Sequence, residues 1–471
     1  MTLIAGIDSS TQSCKVVICD LATGAVVRSG RATHPPGTEV DANLWWDAML
    51  AAISAAGGLI DVSAVSIAGQ QHGMVVLDTN GSVIRPALLW NDTRSAQASL
   101  DLVDEFGAAE LARRSGSVPV ASFTVTKLRW LRDAEPENAA RVASVALPHD
   151  WLTWRLRGFG PAGTLHGPQL GELTTDRSDA SGTGYWSPAT GDYDRELFEA
   201  ALGHSAILPR VMGPSDSAGV TTDLEAHSIP SGIVIGVGAG DNAGAALGLG
   251  AGSGDVVVSI GTSGTIFAVT EATPADVSGN VTGFADASGG YLPLVATLNA
   301  ARILDSVAGI LGVDHNELGR LALEAHPGSG GVVLQPWFEG ERTPNLPNAT
   351  ATLFGLTLLS STRPNLARAA IEGMLCGLAE GLDNIRAQGV DAHRVLLIGG
   401  AAQNNAVSAI AAQVFDLPVE VPVPGEYVAL GAAVQAAWAL TTNRPSWPLA
   451  LSARPAPDSR PVIREQYAAR R

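Results

Sequence analysis

Residues 233–248 read Ile-Val-Ile-Gly-Val-Gly-Ala-Gly-Asp-Asn-Ala-Gly-Ala-Ala-Leu-Gly. The apolar run 233–237 predicts a buried strand, the glycines after it predict a turn, and the small residues from Ala243 predict a helix. A strand that enters a helix through a glycine turn is typical of α/β sheets, which bind ligands in the crevice outside their strands' carboxyl ends. The stretch therefore indicates an α/β fold with Asp241 at a ligand-accessible edge.

Asp241 has two interpretations on this stretch alone. Aspartate is a favoured N-cap residue, so its carboxylate can simply cap the helix that follows. Alternatively, it is a functional carboxylate in a loop that is almost free of side chains, which a substrate can approach closely. The flanking residues Gly240 and Asn242 fit both interpretations.

Length and charge restrict the class of protein. A chain of 471 residues is too long for one ordinary core and predicts two large domains, or three. Its hydrophobic content of 46% and charged content of 16% are those of a folded protein rather than a disordered one. The net charge of −17 argues against a nucleic-acid partner and against an anionic membrane surface. Such an acidic chain must bind phosphates locally, through backbone amides and a metal ion.

The cysteines and the N-terminal residues indicate a compartment. The three cysteines, Cys14, Cys19 and Cys376, cannot form a closed disulfide framework, and none belongs to a Cys-x-x-Cys pair. The first residues lack a charged-then-apolar signal segment, and no apolar run reaches the ~20 residues of a membrane span. We therefore expect a cytoplasmic protein.

Other segments predict further elements of an alternating α/β chain. Residues 158–184 are rich in Gly, Ser, Thr and Asp and are interpreted as loops, and the proline-rich end beyond Thr441 is interpreted as a surface tail. The predicted strands are Leu3–Ile7, Lys15–Cys19, Val65–Ala68, Met74–Asp78 and Arg394–Ile398, and the predicted helices are Leu44–Ala56, Glu137–Val145, Trp151–Arg155 and Ala401–Phe415.

Two strand–turn–strand units share one layout. Residues 3–19 and 256–269 each place Ser and Thr in a turn between apolar strands. Free N–H groups in such turns can hold phosphate oxygens, although most Ser/Thr turns bind nothing. No P-loop motif occurs, so a P-loop nucleotide site is excluded. The internal echo predicts two related domains, at 1–246 and 247–440, followed by a Pro-rich tail at 441–471.

Four polar segments occur in one order along the chain: Asp8…Thr11…Lys15, Asp241-Asn242, Gly261-Thr-Ser-Gly264 and Gly399-Gly-Ala-Ala-Gln-Asn404. In this order they resemble the sugar-kinase branch of the actin-like ATPase superfamily, the FGGY carbohydrate kinases. The likeness runs from the first strand to residues 427–433, essentially the whole chain. It implies two ribonuclease-H-like domains with mixed sheets flanked by helices and an interdomain cleft.

Five further segments resemble those family members that phosphorylate D-xylulose: 70–73, 88–94, 147–150, 179–183 and 340–344. The resemblance implies phosphoryl transfer from MgATP to the 5-hydroxyl of D-xylulose, with ribulose, gluconate and glycerol as alternative acceptors. It implies a small-molecule ketose and MgATP as partners, with the sugar mainly on the N-terminal domain and ATP mainly on the C-terminal one. It is also compatible with a homodimer.

The resemblance also implies roles for individual residues. Asp241 is the implied catalytic base, and Asp8 is implied in catalysis and in holding Mg²⁺, directly or through water. The implied sugar contacts are Gln71, His72, Trp90, Asp241 and Asn242, and the implied ATP contacts are Thr11, Lys15, Gly261, Thr262, Gly400, Ala401 and Asn404. One departure is Ser10, where relatives often carry glycine in the phosphate turn.

Plainer interpretations stay open beside these. His72 can be an ordinary buried polar residue, and Trp90 can be a core anchor, since tryptophan is highly buried on average. The fold by itself also fits a non-kinase actin-like ATPase, or a sugar-binding sensor that has lost catalysis. The polar segments 70–73 and 90–94 argue against the first of these, and the intact Asp8 and Asp241 argue against the second.

Overall fold

The computed structural model describes residues 1–470 and divides the chain into two compact units. Unit 1 comprises Met1–Ala251, Thr273–Leu292 and Glu426–Pro448. Unit 2 comprises Gly252–Ala272, Pro293–Gly425 and the residues from Leu449 onward. A segment near the end of the sequence, Glu426–Pro448, is therefore part of the unit that the first residues build.

Strands and helices alternate along the chain. The strands are β1 (Leu3–Ser9), β2 (Ser13–Asp20), β3 (Val26–Thr33), β4 (Glu39–Val40), β5 (Val62–Gly69), β6 (Val75–Leu77), β7 (Ala87–Leu88), β8 (Ser144–Ala146), β9 (Thr174–Asp176), β10 (Arg210–Met212), β11 (Ser217–Val220), β12 (Val234–Gly236), β13 (Ala239–Gly240), β14 (Asp255–Ile260), β15 (Gly264–Ala268), β16 (Thr282–Ala285), β17 (Tyr291–Thr297), β18 (Val333–Gln335), β19 (Thr352–Phe354), β20 (Arg394–Ile398), β21 (Val419–Pro422) and β22 (Leu451–Ala453). The helices are α1 (Ala42–Ala55), α2 (Ala96–Phe106), α3 (Ala108–Ser115), α4 (Thr124–Ala134), α5 (Pro136–Ala139), α6 (Pro148–Leu156), α7 (Arg177–Ser181), α8 (Arg195–Leu202), α9 (Asp241–Gly248), α10 (Ala301–Leu311), α11 (His315–Glu324), α12 (Arg363–Ala387), α13 (Asn405–Val414), α14 (Tyr427–Thr441) and α15 (Pro461–Ala468). Short 3₁₀ turns lie at Leu170–Glu172, Glu225–His227, Ser329–Gly331 and Ala401–Gln403.

The main sheet of unit 1 is mixed. Its strands lie in the order β11-β12-β5-β1-β2-β3, and β13 also pairs with β5. Strands β1, β2 and β3 form an antiparallel meander, β5 lies parallel to β1, and β12 lies parallel to β5. Strand β11 then pairs antiparallel with β12.

The main sheet of unit 2 repeats this topology. Its strands follow the order β17-β15-β14-β20-β21-β22. Strands β14, β15 and β17 form an antiparallel meander, β20 is parallel to β14, β21 is parallel to β20, and β22 pairs antiparallel with β21. The two turns that carry Ser and Thr join equivalent strands, β1 to β2 in unit 1 and β14 to β15 in unit 2. The prediction of a fold built on two related mixed sheets with helices is therefore confirmed.

Helices cover both faces of the unit 1 sheet. On one face, α1 buries Trp45 and Met49 in a large apolar cluster with the sheet. On the other face, α14 contributes alanines such as Ala429 and Ala433. A Cβ atom at Gly6 would lie 1.9 Å from the carbonyl oxygen of Ala429, so α14 lies directly on β1. The missing side chain of Gly6 is what permits this close approach.

Helix α9 packs on α14 through glycines. A Cβ atom at Gly431 would lie 1.8 Å from the carbonyl oxygen of Gly244, and one at Gly248 would lie 2.0 Å from that of Tyr427. The backbones of the two helices are therefore in direct contact. Because α9 begins at Asp241, this contact fixes the position of the loop that the sequence singled out.

Two local predictions are wrong. The expected helix Glu137–Val145 ends at Ala139, and residues Ser144–Ala146 form β8, which pairs with β6. Val145 decides this, since it is buried in β8, where it pairs with Val76 of the distant strand β6, and this tertiary pairing overrides helix propensity. The expected loop region 158–184 contains β9 and α7 near its end. The Asp176 carboxylate caps α7 and accepts the Ser178 hydroxyl, so both polar side chains are buried with a hydrogen-bond partner.

The chain end is more structured than a surface tail. Strand β22 extends the unit 2 sheet, and α15 buries Ile463 and Tyr467. The cysteines Cys14, Cys19 and Cys376 are buried free thiols. Across residues 1–470, no helix combines the length and the apolar character that crossing a membrane requires.

Candidate active site

Three parallel strands of unit 1 end side by side. Asp8 on β1 lies beside Ala68 on β5, which lies beside Ala239 on β13. The carboxyl ends of parallel strands form the edge at which open α/β sheets bind ligands. The segments leaving this edge bring together the sequence-predicted residues Thr11, Gln71, His72, Asp241 and Asn242 and the neighbouring Ser10.

Asp241 is the first residue of α9, and Gly240 occupies the N-cap position. One carboxylate oxygen, Oδ1, accepts hydrogen bonds from the backbone N and from Nδ2 of Asn242, each at 2.8 Å. The N-cap interpretation of Asp241 is therefore wrong. Burial, together with the charge of Asp8, raises the pKa of Asp241 to about 7. A carboxyl group with this pKa is suited to accept a proton at neutral pH.

Asp8 is fully buried and has two polar neighbours in its own hairpin. Ser10 donates from Oγ to Oδ1 of Asp8 at 2.5 Å, and Nζ of Lys15 lies 3.7 Å from Oδ2. Burial raises the pKa of Asp8 to about 6, although the Ser10 hydrogen bond and the Lys15 charge both lower it. Lys15 also donates to Oε2 of Glu426 at 2.6 Å, at the start of the segment that carries α14. The Ser10 hydroxyl thus orients the Asp8 carboxylate near the end of β1.

Trp90 and Thr11 join the turn between β1 and β2 to the predicted sugar residues. The indole Nε1 of Trp90 donates to Oγ1 of Thr11 at 2.9 Å, and Thr11 donates to Oε1 of Gln70 at 3.3 Å. Trp90 is partly exposed, so it is not a core anchor. Thr11, which the resemblance assigned to ATP, therefore bonds to the loops that carry the predicted sugar contacts.

Gln71 and His72 are held by the segment around α7. Nε2 of Gln71 donates to the carbonyl oxygen of Ser178 at 3.1 Å, and Nδ1 of His72 donates to that of Gly182 at 2.6 Å. The imidazole also packs on Phe123, with ring centroids 4.9 Å apart. The two predicted sugar contacts therefore take their orientation from one short helix and its cap.

The backbone of His72 has an unusual conformation. Its φ of 69° lies in the left-handed region, which residues other than glycine rarely adopt. Residues held in such conformations cluster at functional sites. The carbonyl oxygen of His72 accepts hydrogen bonds from Nζ of Lys127 at 3.0 Å and from Oγ1 of Thr124 at 3.2 Å. Burial lowers the pKa of Lys127 to about 7. These contacts hold His72 in a conformation that the isolated chain would avoid.

A buried histidine–carboxylate cluster lies behind the Asp241 loop and was not assigned a role from the sequence. Nδ1 of His149 donates to Oδ2 of Asp179 at 2.6 Å, and Nε2 lies 3.4 Å from Oδ1 of Asp150. Burial lowers the pKa of His149, but Asp150, Asp179 and Asp176 overcome this and raise it to about 10. A Cβ atom at Gly238 would lie 2.2 Å from the imidazole. Segments 147–150 and 179–183, which carry part of the family resemblance, contain His149, Asp150 and Asp179 and were the sequence signal for this cluster.

The predicted adenosine and phosphate residues of unit 2 lie at the ends of two paired strands. Ser259 on β14 lies beside Ile398 on β20, and each strand continues into an exposed turn. These turns carry Gly261 and Thr262 after β14, and Gly400, Ala401 and Asn404 after β20.

Gly400 and Asn404 differ in how their surroundings are filled. A Cβ atom at Gly400 would meet no atom within 4 Å. Asn404 instead caps α13, accepting from the backbone N of Ala406 at 2.9 Å and donating to the carbonyl oxygen of His315 at 2.8 Å. The space beside Gly400 is therefore open, whereas the amide of Asn404 already supports the fold.

Two models of one known protein family match most of the chain. The FGGY family of carbohydrate kinases, N-terminal domain, matches residues 3–248, and the C-terminal domain of that family matches residues 256–440. The chain belongs to the FGGY family of carbohydrate kinases. The family membership predicted from the ordered motifs is thereby confirmed, as is the class of enzyme, a phosphotransferase that acts on a hydroxyl group.

Individual relatives of this FGGY kinase are similar along nearly their whole length. The chain is 46% identical over 455 residues to a xylulose kinase from Streptomyces rubiginosus, covering 94% of this chain and 89% of the relative. It is 46% identical over 446 residues to one from Streptomyces coelicolor, covering 93% and 88%. The solved structure of xylulose kinase from Bifidobacterium adolescentis has a TM-score of 0.93 at 45% identity, covering 100% of this chain and 99% of that one.

Proposed function

We propose that this FGGY kinase transfers the γ-phosphoryl group of ATP to the 5-hydroxyl of D-xylulose, giving D-xylulose 5-phosphate and ADP. The observation that carries the proposal is the meeting of Asp241, Gln71 and His72 at one edge of the unit 1 sheet. Similarity over nearly the whole length to proteins named xylulose kinase supports D-xylulose as the acceptor.

Asp241 acts as the proton acceptor for the attacking hydroxyl. Phosphoryl transfer asks the protein chiefly for in-line positioning and for neutralisation of charge, so a single oriented carboxylate is sufficient as a base. What supports this role is its pKa of about 7 and the hold of Asn242 on one carboxylate oxygen. Asn242 therefore contributes to catalysis by orienting Asp241 and stays a proposed sugar contact.

Gln71, His72 and Trp90 recognise the ketose. Amide, imidazole and indole groups can all hydrogen-bond the hydroxyls of a polyol, and the indole can also cover an apolar sugar face. Their contacts with α7 and Thr11 hold these groups before the sugar binds. A preorganised acceptor site loses less entropy on binding than a flexible one.

Asp8 holds Mg²⁺, directly or through water. The residues fit such an ion: Asp8 and Asp241 are near enough that the charge of Asp8 raises the pKa of Asp241, and this excess negative charge favours a divalent cation. When bound, the ion supplies neutralisation of the phosphate charge. Ser10 and Lys15 keep the Asp8 carboxylate oriented.

The nucleotide is bound by hydroxyl turns and backbone rather than by a P-loop. We assign its phosphates to Thr11, Lys15, Gly261 and Thr262, and its adenosine to Gly400, Ala401 and Asn404. The open space beside Gly400 supports the adenosine assignment, because a ligand can approach the backbone there. Lys15 forms an ion pair with Glu426, so a phosphate bound by Lys15 would compete with Glu426 for the ammonium group.

A panel of acceptors tests the function. The purified enzyme is assayed for ADP release with ATP, Mg²⁺ and D-xylulose, ribulose, gluconate or glycerol, and the phosphorylated carbon is identified by NMR. We expect the highest kcat/KM for D-xylulose, phosphorylation at carbon 5, and loss of turnover with EDTA. A higher kcat/KM for another acceptor would contradict the substrate assignment. ATP hydrolysis that no acceptor stimulates would instead favour a non-kinase ATPase.

Cytoplasmic location and a homodimer belong to the same proposal. Cell fractionation tests the first, and size-exclusion chromatography with light scattering tests the second. A monomer at assay concentrations would contradict the homodimer without affecting the assigned reaction.

A further inference from the structure

Helix α7 contains a buried serine whose hydroxyl has two partners. Ser178 is fully buried, and its Oγ donates to Oδ2 of Asp176, the N-cap of the helix, at 2.6 Å. The same Asp176 oxygen accepts the backbone N–H of Ser178 at 2.7 Å. Asp176 therefore fixes both the backbone and the side chain of Ser178.

Ser178 also contacts both parts of the proposed acceptor site. Its Oγ accepts the backbone N–H of Gly240 at 3.0 Å, and Gly240 directly precedes Asp241. Its carbonyl oxygen accepts Nε2 of Gln71 at 3.1 Å. One residue therefore connects the loop of the proposed base with the loop of a proposed sugar contact.

The hydroxyl of Ser178 cannot be replaced by an apolar group without loss. A hydroxyl donates and accepts at once, and donation to a carboxylate strengthens the bond it accepts. Removal of the hydroxyl would leave the buried N–H of Gly240 without this acceptor, which is costly in a protein interior. The side chain of Gln71 packs against Gly240, since a Cβ atom there would lie 2.7 Å from its Cγ. A shift of the Gly240 backbone would therefore disturb Asp241 and Gln71 together.

We propose that Ser178 is a positioning residue that sets the Asp241 carboxylate relative to the acceptor loop, with Asp176 holding Ser178 in place. The proposal rests on the proposed function, in which Asp241 is the base. Ser178 does not touch the reacting atoms in this role, and it acts through the Gly240 N–H.

A double-mutant cycle tests the proposal. Ser178→Ala, Asp241→Asn and the double variant are assayed with the acceptor that the wild-type enzyme phosphorylates best. We expect Ser178→Ala to lower kcat at least ~10-fold, because small misplacements of catalytic groups are costly, and to leave the KM for ATP unchanged. The double variant should be no slower than Asp241→Asn, since the serine acts through that carboxylate.

Ser115→Ala is the matched control. Ser115 is a buried serine of the same unit whose Oγ donates within its own segment, to the carbonyl oxygens of Leu111 and Ser117. We expect Ser115→Ala to lower the melting temperature about as much as Ser178→Ala does, and to leave kcat unchanged. Wild-type kcat in Ser178→Ala, or losses that multiply in the double variant, would overturn the positioning role.

Further outcomes separate this proposal from the proposed function. If an acceptor other than D-xylulose is phosphorylated best, the substrate assignment fails and the cycle is still decided with that acceptor. If Asp241→Asn keeps wild-type turnover, the base assignment and the positioning role fail together. Should Ser178→Ala not fold, Asp176→Asn replaces it in the same cycle, because it weakens the hold on the Ser178 hydroxyl while keeping the side chain's size. If the fold-losses in kcat caused by Asp176→Asn and by Asp241→Asn multiply in the double variant, the proposal is again overturned.

Discussion

Two carboxylates with raised pKa values lie at the end of the unit 1 sheet, and their neighbours differ. Asp8 is bonded by Ser10 and lies near Lys15, so its ionised form is partly compensated. Asp241 has Asn242 as its hydrogen-bond donor and no cation among the causes of its pKa shift. A carboxylate whose neighbours favour its ionised form is suited to bind a cation. A carboxylate with a raised pKa and no cationic neighbour is suited to accept a proton.

At the residue scale, Asp241→Asn tests the proposed base. The substitution keeps the shape of the side chain and removes the proton acceptor, so we expect kcat to fall at least ~10²-fold, the scale of general-base loss. Acceptor-dependent ADP release measures it. Asp104→Asn, at an exposed position on α2, is the control and should leave kcat unchanged. Turnover near the wild-type rate in Asp241→Asn would contradict the assignment.

The pH dependence of kcat/KM is a second prediction at this scale. Because the pKa of Asp241 is raised to about 7, the base is lost as pH falls through that value, and kcat/KM should rise with pH and level off above it. The pKa of about 6 for Asp8 should steepen the decline at lower pH. Steady-state kinetics between about pH 5 and about pH 9 would show this acid limb. A flat profile down to the acid end of that range would contradict it.

At the scale of elements, the contact between α9 and α14 determines where Asp241 lies. These helices approach through Gly244, Gly248 and Gly431, whose missing side chains leave the backbones in contact. The glycines cost helix propensity, and the close packing of α9 on α14 offsets that cost. The small-residue composition of residues 243–248 therefore reflects the packing of α9 on α14.

Gly431→Ala tests this packing. Its Cβ atom would lie 1.8 Å from the carbonyl oxygen of Gly244, so we expect the free energy of unfolding to fall by about 1–3 kcal/mol or more, as for an overpacked core. Because α9 must shift, kcat should fall as well. Urea unfolding followed by circular dichroism, with ADP release, measures both.

The matched control is Gly309→Ala on α10, where an added Cβ atom meets nothing within 4 Å. It should be neutral or stabilising by about 0.5–1 kcal/mol, because alanine favours the helix and restricts the unfolded chain. Equal stability changes in the two variants would contradict the role of the α9–α14 contact.

At the scale of the whole molecule, the sugar and the adenosine are assigned to different units. We expect Gly400→Val in unit 2 to weaken binding of an ATP analogue in calorimetry while D-xylulose binding is largely kept, because the valine side chain would fill the open space assigned to the adenosine.

His72→Ala in unit 1 should raise the KM of the acceptor far more than that of ATP. Equal losses for both ligands in either variant would indicate misfolding, and unchanged ATP affinity in Gly400→Val would contradict the adenosine assignment.

The amino-acid sequence by itself determined the elements whose signals are local. Apolar runs bounded by glycine or by Ser/Thr turns predicted β1, β2, β14, β15 and β20, because a buried strand and its turn are encoded within a few neighbouring residues. The order of Asp8, Asp241 and the glycine turns was sufficient to predict the family, and the repeated hairpin predicted two related sheets.

Tertiary structure alone decided how the candidate site is supported. Ser178 and Gly240 are 62 residues apart in sequence, and Gln71 lies 107 residues from Ser178, so neither contact leaves a local pattern. Residues 158–184 were interpreted as loops from their polar composition, yet β9 and α7 form near the end of this segment, where Asp176 and Ser178 are buried and hydrogen-bonded to each other. Likewise, the close approach of Ala429 to Gly6 places α14, near the end of the chain, on the sheet that its first residues build.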